Sequence, residues 1–167
     1  MALIVEDGTN VADSNSYDTL ANAQAYFDLK ADPIVLTEAS LINATQYLDI
    51  TYTALFIPVR KTRDQSLEWP RYAFTDTNGF SVPGDIIPIE LKTALYETAK
   101  LYVDGANIFN NVPSETDNLQ SLTQSIDGAV SESKTWFSPN NTNVGQNIGQ
   151  YLQNILKTSA NLSVRIR

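Results

Sequence analysis

Residues 63–74, RDQSLEWPRYAF, place Arg63, Arg71, Trp69, Tyr72 and Phe74 within twelve positions, with Asp64 and Glu68 between them. Three kinds of chemistry suit that set. Trp69, Tyr72 and Phe74 can stack unpaired bases while the arginines hold phosphates, which is how single-strand nucleic-acid platforms work. Trp, Tyr and Arg also dominate the energetic centres of protein–protein interfaces. The third role is internal: Trp69 closes a helical core, Pro70 stiffens the turn, and Arg63 or Arg71 pairs with Glu68 or Asp64.

Catalysis has little to draw on. The chain of 167 residues holds no histidine and no cysteine. Imidazole general bases, thiolate nucleophiles and nitrogen- or sulfur-liganded zinc are therefore excluded. Carboxylate-only chemistry remains, as a glycosidase pair or an oxygen-liganded Mg²⁺ or Ca²⁺ site. The 19 acids are scattered, however, and no pair or cluster stands out. Asp76-Thr77-Asn78-Gly79 lacks the spacing and distal glutamate of a calcium loop, and reads as a hairpin turn with Asn-Gly supplying positive φ angles. The expectation is a protein that is not an enzyme, with no catalytic residues, metal or cofactor.

Charge separates the partner classes. Net charge is −8 and the isoelectric point is near 4.4, the reverse of a general nucleic-acid binder. Arg60, Lys61, Arg63 and Arg71 are four of eleven basic residues, and Arg165 and Arg167 lie at positions 165–167. No apolar run approaches the roughly 20 residues of a membrane helix, and the first residues, MALIVEDGTN, carry no basic leader. The chain reads as one soluble domain over 1–167, made in the cytoplasm, with no membrane partner.

Those side chains need elements to hold them. Residues 1–16 read as an extended segment. A first helix starts at Thr19, a good N-cap, with Leu20, Ala23 and Phe27 at helical spacing, and Asp32-Pro33 stops it. A second runs from about Thr37 to Asp49 on Leu41, Ala44 and Leu48. A third opens at Pro88, buries Leu91, Ala94, Leu95 and Tyr102, and stops at Gly105. A fourth spans about Asn143 to Lys157, weakened by Gly145 and Gly149 at about 1 kcal/mol each. LTQSIDGAVSESKTWF alternates around Asp127-Gly128 and predicts a two-stranded ribbon. NLSVRIR alternates Leu162, Val164 and Ile166 with Ser163, Arg165 and Arg167.

The fold class is therefore mainly α: a small bundle of about four helices, a long inserted loop, a small β ribbon and an extended C-terminal tail. The helical core covers about 17–105, the ribbon and last helix about 118–157, and the tail 158–167. The stretch from Tyr52 to Pro88 is longer than compact domains usually allow for a connection, so it is expected to carry function or structure of its own.

Gln65-Ser66-Leu67-Glu68-Trp69-Pro70-Arg71 resembles the Q-x-L-E-W-P-R motif of the head–tail adaptor (connector) proteins of tailed bacteriophages. Two further blocks agree in order and spacing. Val5-Glu6-Asp7-Gly8-Thr9, then Asn15-Ser16-Tyr17 and Ala25-Tyr26-Phe27, is similar to the family's N-terminal block. Ile87-Pro88-Ile89-Glu90-Leu91-Lys92, with Ala94 and Ala99, is similar to the helix after its loop. The likeness covers residues 4–105 and is general beyond them. Members are often labelled DnaT-like single-strand DNA-binding proteins. One departure is Phe56-Ile57-Pro58-Val59, where members usually carry a glycine before the arginines.

The resemblance implies a structural virion protein of the head–tail connector, made in the host cytoplasm. It would form a homo-oligomeric ring of about twelve subunits, each contact joining two different patches. The ring would sit between the portal protein and the next neck or tail-completion protein, with double-stranded DNA passing through its lumen without specific binding. An acidic or polar wall would let DNA slide. Arg60, Arg63, Trp69, Arg71 and Tyr72 are the expected subunit or partner interface, Trp69 and Arg71 acting there directly or by fixing the loop. Leu162, Val164, Arg165, Ile166 and Arg167 are expected to add a strand or clamp to the portal, although pairing with the chain's own ribbon fits the periodicity too. The alternative is a single-strand DNA-binding replication factor.

Overall fold

The computed structural model describes residues 2–105, 122–126, 130–134 and 144–157. Within them lie four helices, α1 (Leu20–Leu29), α2 (Glu38–Tyr52), α3 (Ile89–Val103) and α4 (Val144–Leu152). Two antiparallel ribbons accompany them, β1 (Phe74–Thr75) with β2 (Ser81–Val82), and β3 (Leu122–Ile126) with β4 (Val130–Lys134). The architecture is mainly helical and small, as the periodicities predict.

Local chemistry sets the helix starts. Thr19 accepts from the Asn22 N–H at 3.1 Å, and Thr37 and Ser40 form a reciprocal capping box. Pro88 sits just ahead of α3, where its missing N–H costs nothing. The α1 helix stops short of Asp32-Pro33 because Ala31 turns left-handed at φ 54°. The α2 helix continues to Tyr52, three residues beyond the predicted end, and Tyr52 is buried. The α4 helix ends at Leu152, not near Lys157, since the next residues take up other hydrogen bonds. Phe56 and Leu156 form an antiparallel bridge, Ile57 N–H donates to Ile155 at 3.0 Å, and Lys157 N–H donates to Leu55 at 2.7 Å.

One core unites these elements. Phe27 from α1, Leu41 and Leu48 from α2, Leu91 and Leu95 from α3, and Ile148 and Leu152 from α4 are all buried. Tyr102 is not; at 39% exposure it leaves the predicted buried face of α3. Side chains fasten α1 to α3, with Tyr26 and Lys30 both bonded to Glu97 at 2.7 Å.

The N-terminal segment is a folded loop, which its polar sequence did not announce. Glu6 is buried at its centre and accepts from the N–H groups of Gly8, Asn10 and Val11 at 2.8–3.0 Å. Gly8 has φ +106°, and a Cβ there would lie 2.0 Å from the Asp85 carbonyl oxygen. Gly8→Ala should therefore lower stability by about 1–3 kcal/mol, read as an earlier denaturation midpoint. An unchanged midpoint would show that the contact with Asp85 can relax at no cost.

The long stretch before α3 carries its own structure. Asp76 begins the predicted hairpin turn, its carboxylate accepting from Asn78 N–H at 2.9 Å and Phe80 N–H at 2.8 Å. Within this turn only Gly79 has positive φ, +90°, so Asn78 does not share that role as expected. The predicted ribbon is also present, pairing Ile126 with Val130 and Leu122 with Lys134. The tail residues 158–167 lie outside the described residues.

Candidate partner interface around the QSLEWPR loop

Among the described residues Trp69 is the largest fully buried side chain, with no exposed surface. Its ring meets Phe56 edge-on at 5.6 Å and Phe74 at 6.0 Å between centroids. The internal role is therefore the one it takes. Neither a stacked base nor a neighbouring molecule can reach it in this fold. Phe74 is half-buried against it, so the expected platform of three aromatic faces reduces to Tyr72.

Arg71 is buried as well, at 4% exposure. Its Nε donates to the Glu68 carbonyl at 2.9 Å and one terminal nitrogen to the Pro58 carbonyl at 2.7 Å. The other terminal nitrogen reaches the Glu68 carboxylate at 2.5 Å. Its guanidinium also lies 4.7 Å over the Phe56 ring. Arg60 comes to the other oxygen of Glu68 at 3.2 Å and to the Gln65 carbonyl at 2.9 Å. Glu68 thus pairs with both arginines, and the trio keeps one net positive charge.

Gln65 completes the lock. It is buried, its amide nitrogen donating to the carbonyls of Leu67 and Pro70 at 2.8 and 3.0 Å, while its oxygen accepts from Thr62 N–H at 3.1 Å. Four side chains of the motif, Gln65, Glu68, Trp69 and Arg71, therefore hold the loop to itself and to the core. The Trp69–Pro70 peptide is cis. Gly84 packs where a Cβ would lie 2.6 Å from the Arg71 carbonyl oxygen.

The outward surface follows from the same register. Arg60 and Arg71 form an antiparallel bridge, and Tyr72 N–H donates to Val59 at 3.0 Å. Because successive strand residues alternate, inward arginines turn Val59 and Tyr72 outward, at 71% and 59% exposure. Arg63 is exposed, while Arg60 is partly covered. Of the five expected contact residues, only Arg63 and Tyr72 are freely presented. Val59 was not among the expected contacts; its place opposite Tyr72 depends on a bridge that sequence spacing does not reveal.

A second polar cluster lies at Asp18, which sequence reasoning passed over. Tyr96 donates to it at 2.5 Å, Asn22 at 2.7 Å and the Thr19 N–H at 2.8 Å, and Lys92 pairs at 3.2 Å. Burial works to raise its pKa, but those four donors together hold it below the usual carboxylate value. Among the described residues, no three acidic side chains are grouped to hold a metal ion.

A family model described as "Putative DnaT-like ssDNA binding protein" matches residues 1–167, the whole chain. The protein belongs to this DnaT-like family. No match was found among curated proteins or among solved structures. The description that comes with the DnaT-like family points to single-stranded DNA. The QSLEWPR loop places one exposed aromatic, Tyr72, in the same segment as Arg63.

Proposed function

We propose that the protein is a structural assembly protein, a head–tail adaptor that rings the DNA channel between portal and neck. The observation that carries this reading is where the recognition side chains of the loop go. Trp69 is buried, and Arg60 and Arg71 are bound to Glu68 and to backbone carbonyls. What remains outward is a small surface on a chain of net charge −8. Residues 60–71 hold four bases and two acids, leaving seven bases against seventeen acids elsewhere. Phosphate binding draws its affinity from neutralised charge, and this balance opposes it. A guide for passing duplex DNA gains from the same balance. The three sequence blocks that resemble those of phage adaptors support the virion role, a ring of about twelve copies and the portal and neck partners.

The family description favours a second reading, a single-strand DNA-binding factor, and weighs more directly on nucleic acid than the geometry does. Tyr72, Lys61 and Arg63 would carry that activity, by stacking and phosphate contact.

Fluorescence anisotropy with an oligothymidine at rising salt separates the two. The adaptor reading expects no salt-dependent binding, together with sedimentation of the protein on portal-bearing heads. Binding that weakens steeply with salt, and that Tyr72→Ala abolishes, would replace it with the second reading.

A further inference from the structure

Two carboxylates meet at the QSLEWPR loop in unlike surroundings. Glu68 takes both arginines. Asp49 pairs with no cation among the described residues. It is partly buried in the last turn of α2, where the helix dipole disfavours negative charge. Each of its oxygens is held from a different element. The Tyr17 hydroxyl donates to Oδ1, and the Glu68 N–H donates to Oδ2 at 3.0 Å. Tyr17 in turn accepts from the Trp69 N–H at 3.3 Å. The N-terminal segment, α2 and the loop therefore meet on one carboxyl group.

We propose that Asp49 is a proton-operated latch, which grips the loop when neutral and loosens it when ionised. An uncompensated carboxylate loses solvation when the loop closes over it, and opening the loop returns that solvation. A neutral carboxyl avoids the loss and keeps the joint. Its Oδ2 still accepts from Glu68 N–H, while Oδ1 and the Tyr17 oxygen can share a proton in either direction. The charged groups facing it are Glu68 and Arg71 from the loop, with the Tyr17 phenol from the N-terminal segment. Arg71 favours the anion but is already bound to Glu68, whose own charge disfavours it.

Burial, against the hydrogen bonds from Tyr17 and Glu68 N–H, pushes the carboxyl up to about 6. A folded-state pKa raised above the free value stabilises the closed loop fully below the free value. That contribution is lost as pH rises through about 6. The latch is therefore tight in mild acid and loose at neutral pH.

Hydrogen exchange at the Glu68 and Trp69 amides reads this directly. After correction for intrinsic rates, their opening equilibrium should be roughly ten-fold more favourable at pH 7 than at pH 5. Asp49→Asn should remove that ratio. Equal protection of the wild-type amides at the two pH values would overturn the latch, as would a ratio surviving in Asp49→Asn. Should that variant not fold, Tyr17→Phe serves instead. It deletes a hydrogen bond that favours the anion, so the exchange midpoint should move to higher pH. A midpoint that stays or falls would count against the proposal.

Discussion

Trp69→Ala should lower the stability of the fold by about 3–5 kcal/mol, the cost of emptying a large buried aromatic site. The side chain has no exposed surface, and Phe56 and Phe74 both rest on it. Truncation would open a void between Phe56 and Phe74, and the loop backbone there is pinned through Tyr17 and Asp49 and cannot collapse far. Urea denaturation followed by circular dichroism measures the loss. Trp69→Phe should cost distinctly less, because the indole Nε1 has no hydrogen-bond partner among the described residues to lose. If alanine left the midpoint unchanged while blocking assembly, Trp69 would be a contact residue after all.

Arg71→Met should be comparably severe, about 3–5 kcal/mol, through a different mechanism. Methionine fills similar volume over Phe56 but leaves the Glu68 carboxylate with Arg60 alone and the buried Pro58 carbonyl without its donor. Adding Glu68→Leu to Arg71→Met breaks the remaining Glu68–Arg60 pair and leaves Arg60 without its carboxylate, so the double variant should be at least as destabilised as Arg71→Met alone. A double variant more stable than the single one would mean that Arg60 does not hold the Glu68 carboxylate once Arg71 is gone. Arg71→Lys should fall between, since one ammonium cannot reach Glu68 and Pro58 together.

Much of the scaffold was readable from local rules. Thr19, Thr37 and Pro88 mark three helix starts because each solves a problem confined to its own first turn. The turn at Asp76 follows from a side chain bonding its own neighbours. The site was legible in composition but not in direction. Trp, Arg and Glu in one loop are equally suited to an interface and to a core, and only tertiary placement of Phe56 and the Pro58 carbonyl turns Trp69 and Arg71 inward. Glu6 and Asp18 were missed for a related reason. Buried acids bound by nearby backbone N–H groups, as Glu6 is, or by side chains of a distant helix, as Asp18 is by Tyr96 and Lys92, leave no periodic trace in a polar segment. The end of α4 escaped too, because its last predicted turn is drawn into pairing with residues 55–57.

That pairing joins residue 56 to residue 156 and has a consequence for synthesis of the chain on a ribosome. Domains begin to fold while still emerging, N-terminal parts first. Helices α1 to α3 and the loop can be in place before α4 exists. Until it arrives, the Ile57 N–H and Leu55 carbonyl have no strand to bond, and the core surface that receives Ile148, Leu152 and Ile155 is bare. A nascent chain paused in that interval displays an unpaired backbone edge beside an apolar hollow, the two features that most invite aggregation. The closing of residues 155–157 onto 55–57 thus also ends the period in which the young chain is most open to the wrong partner.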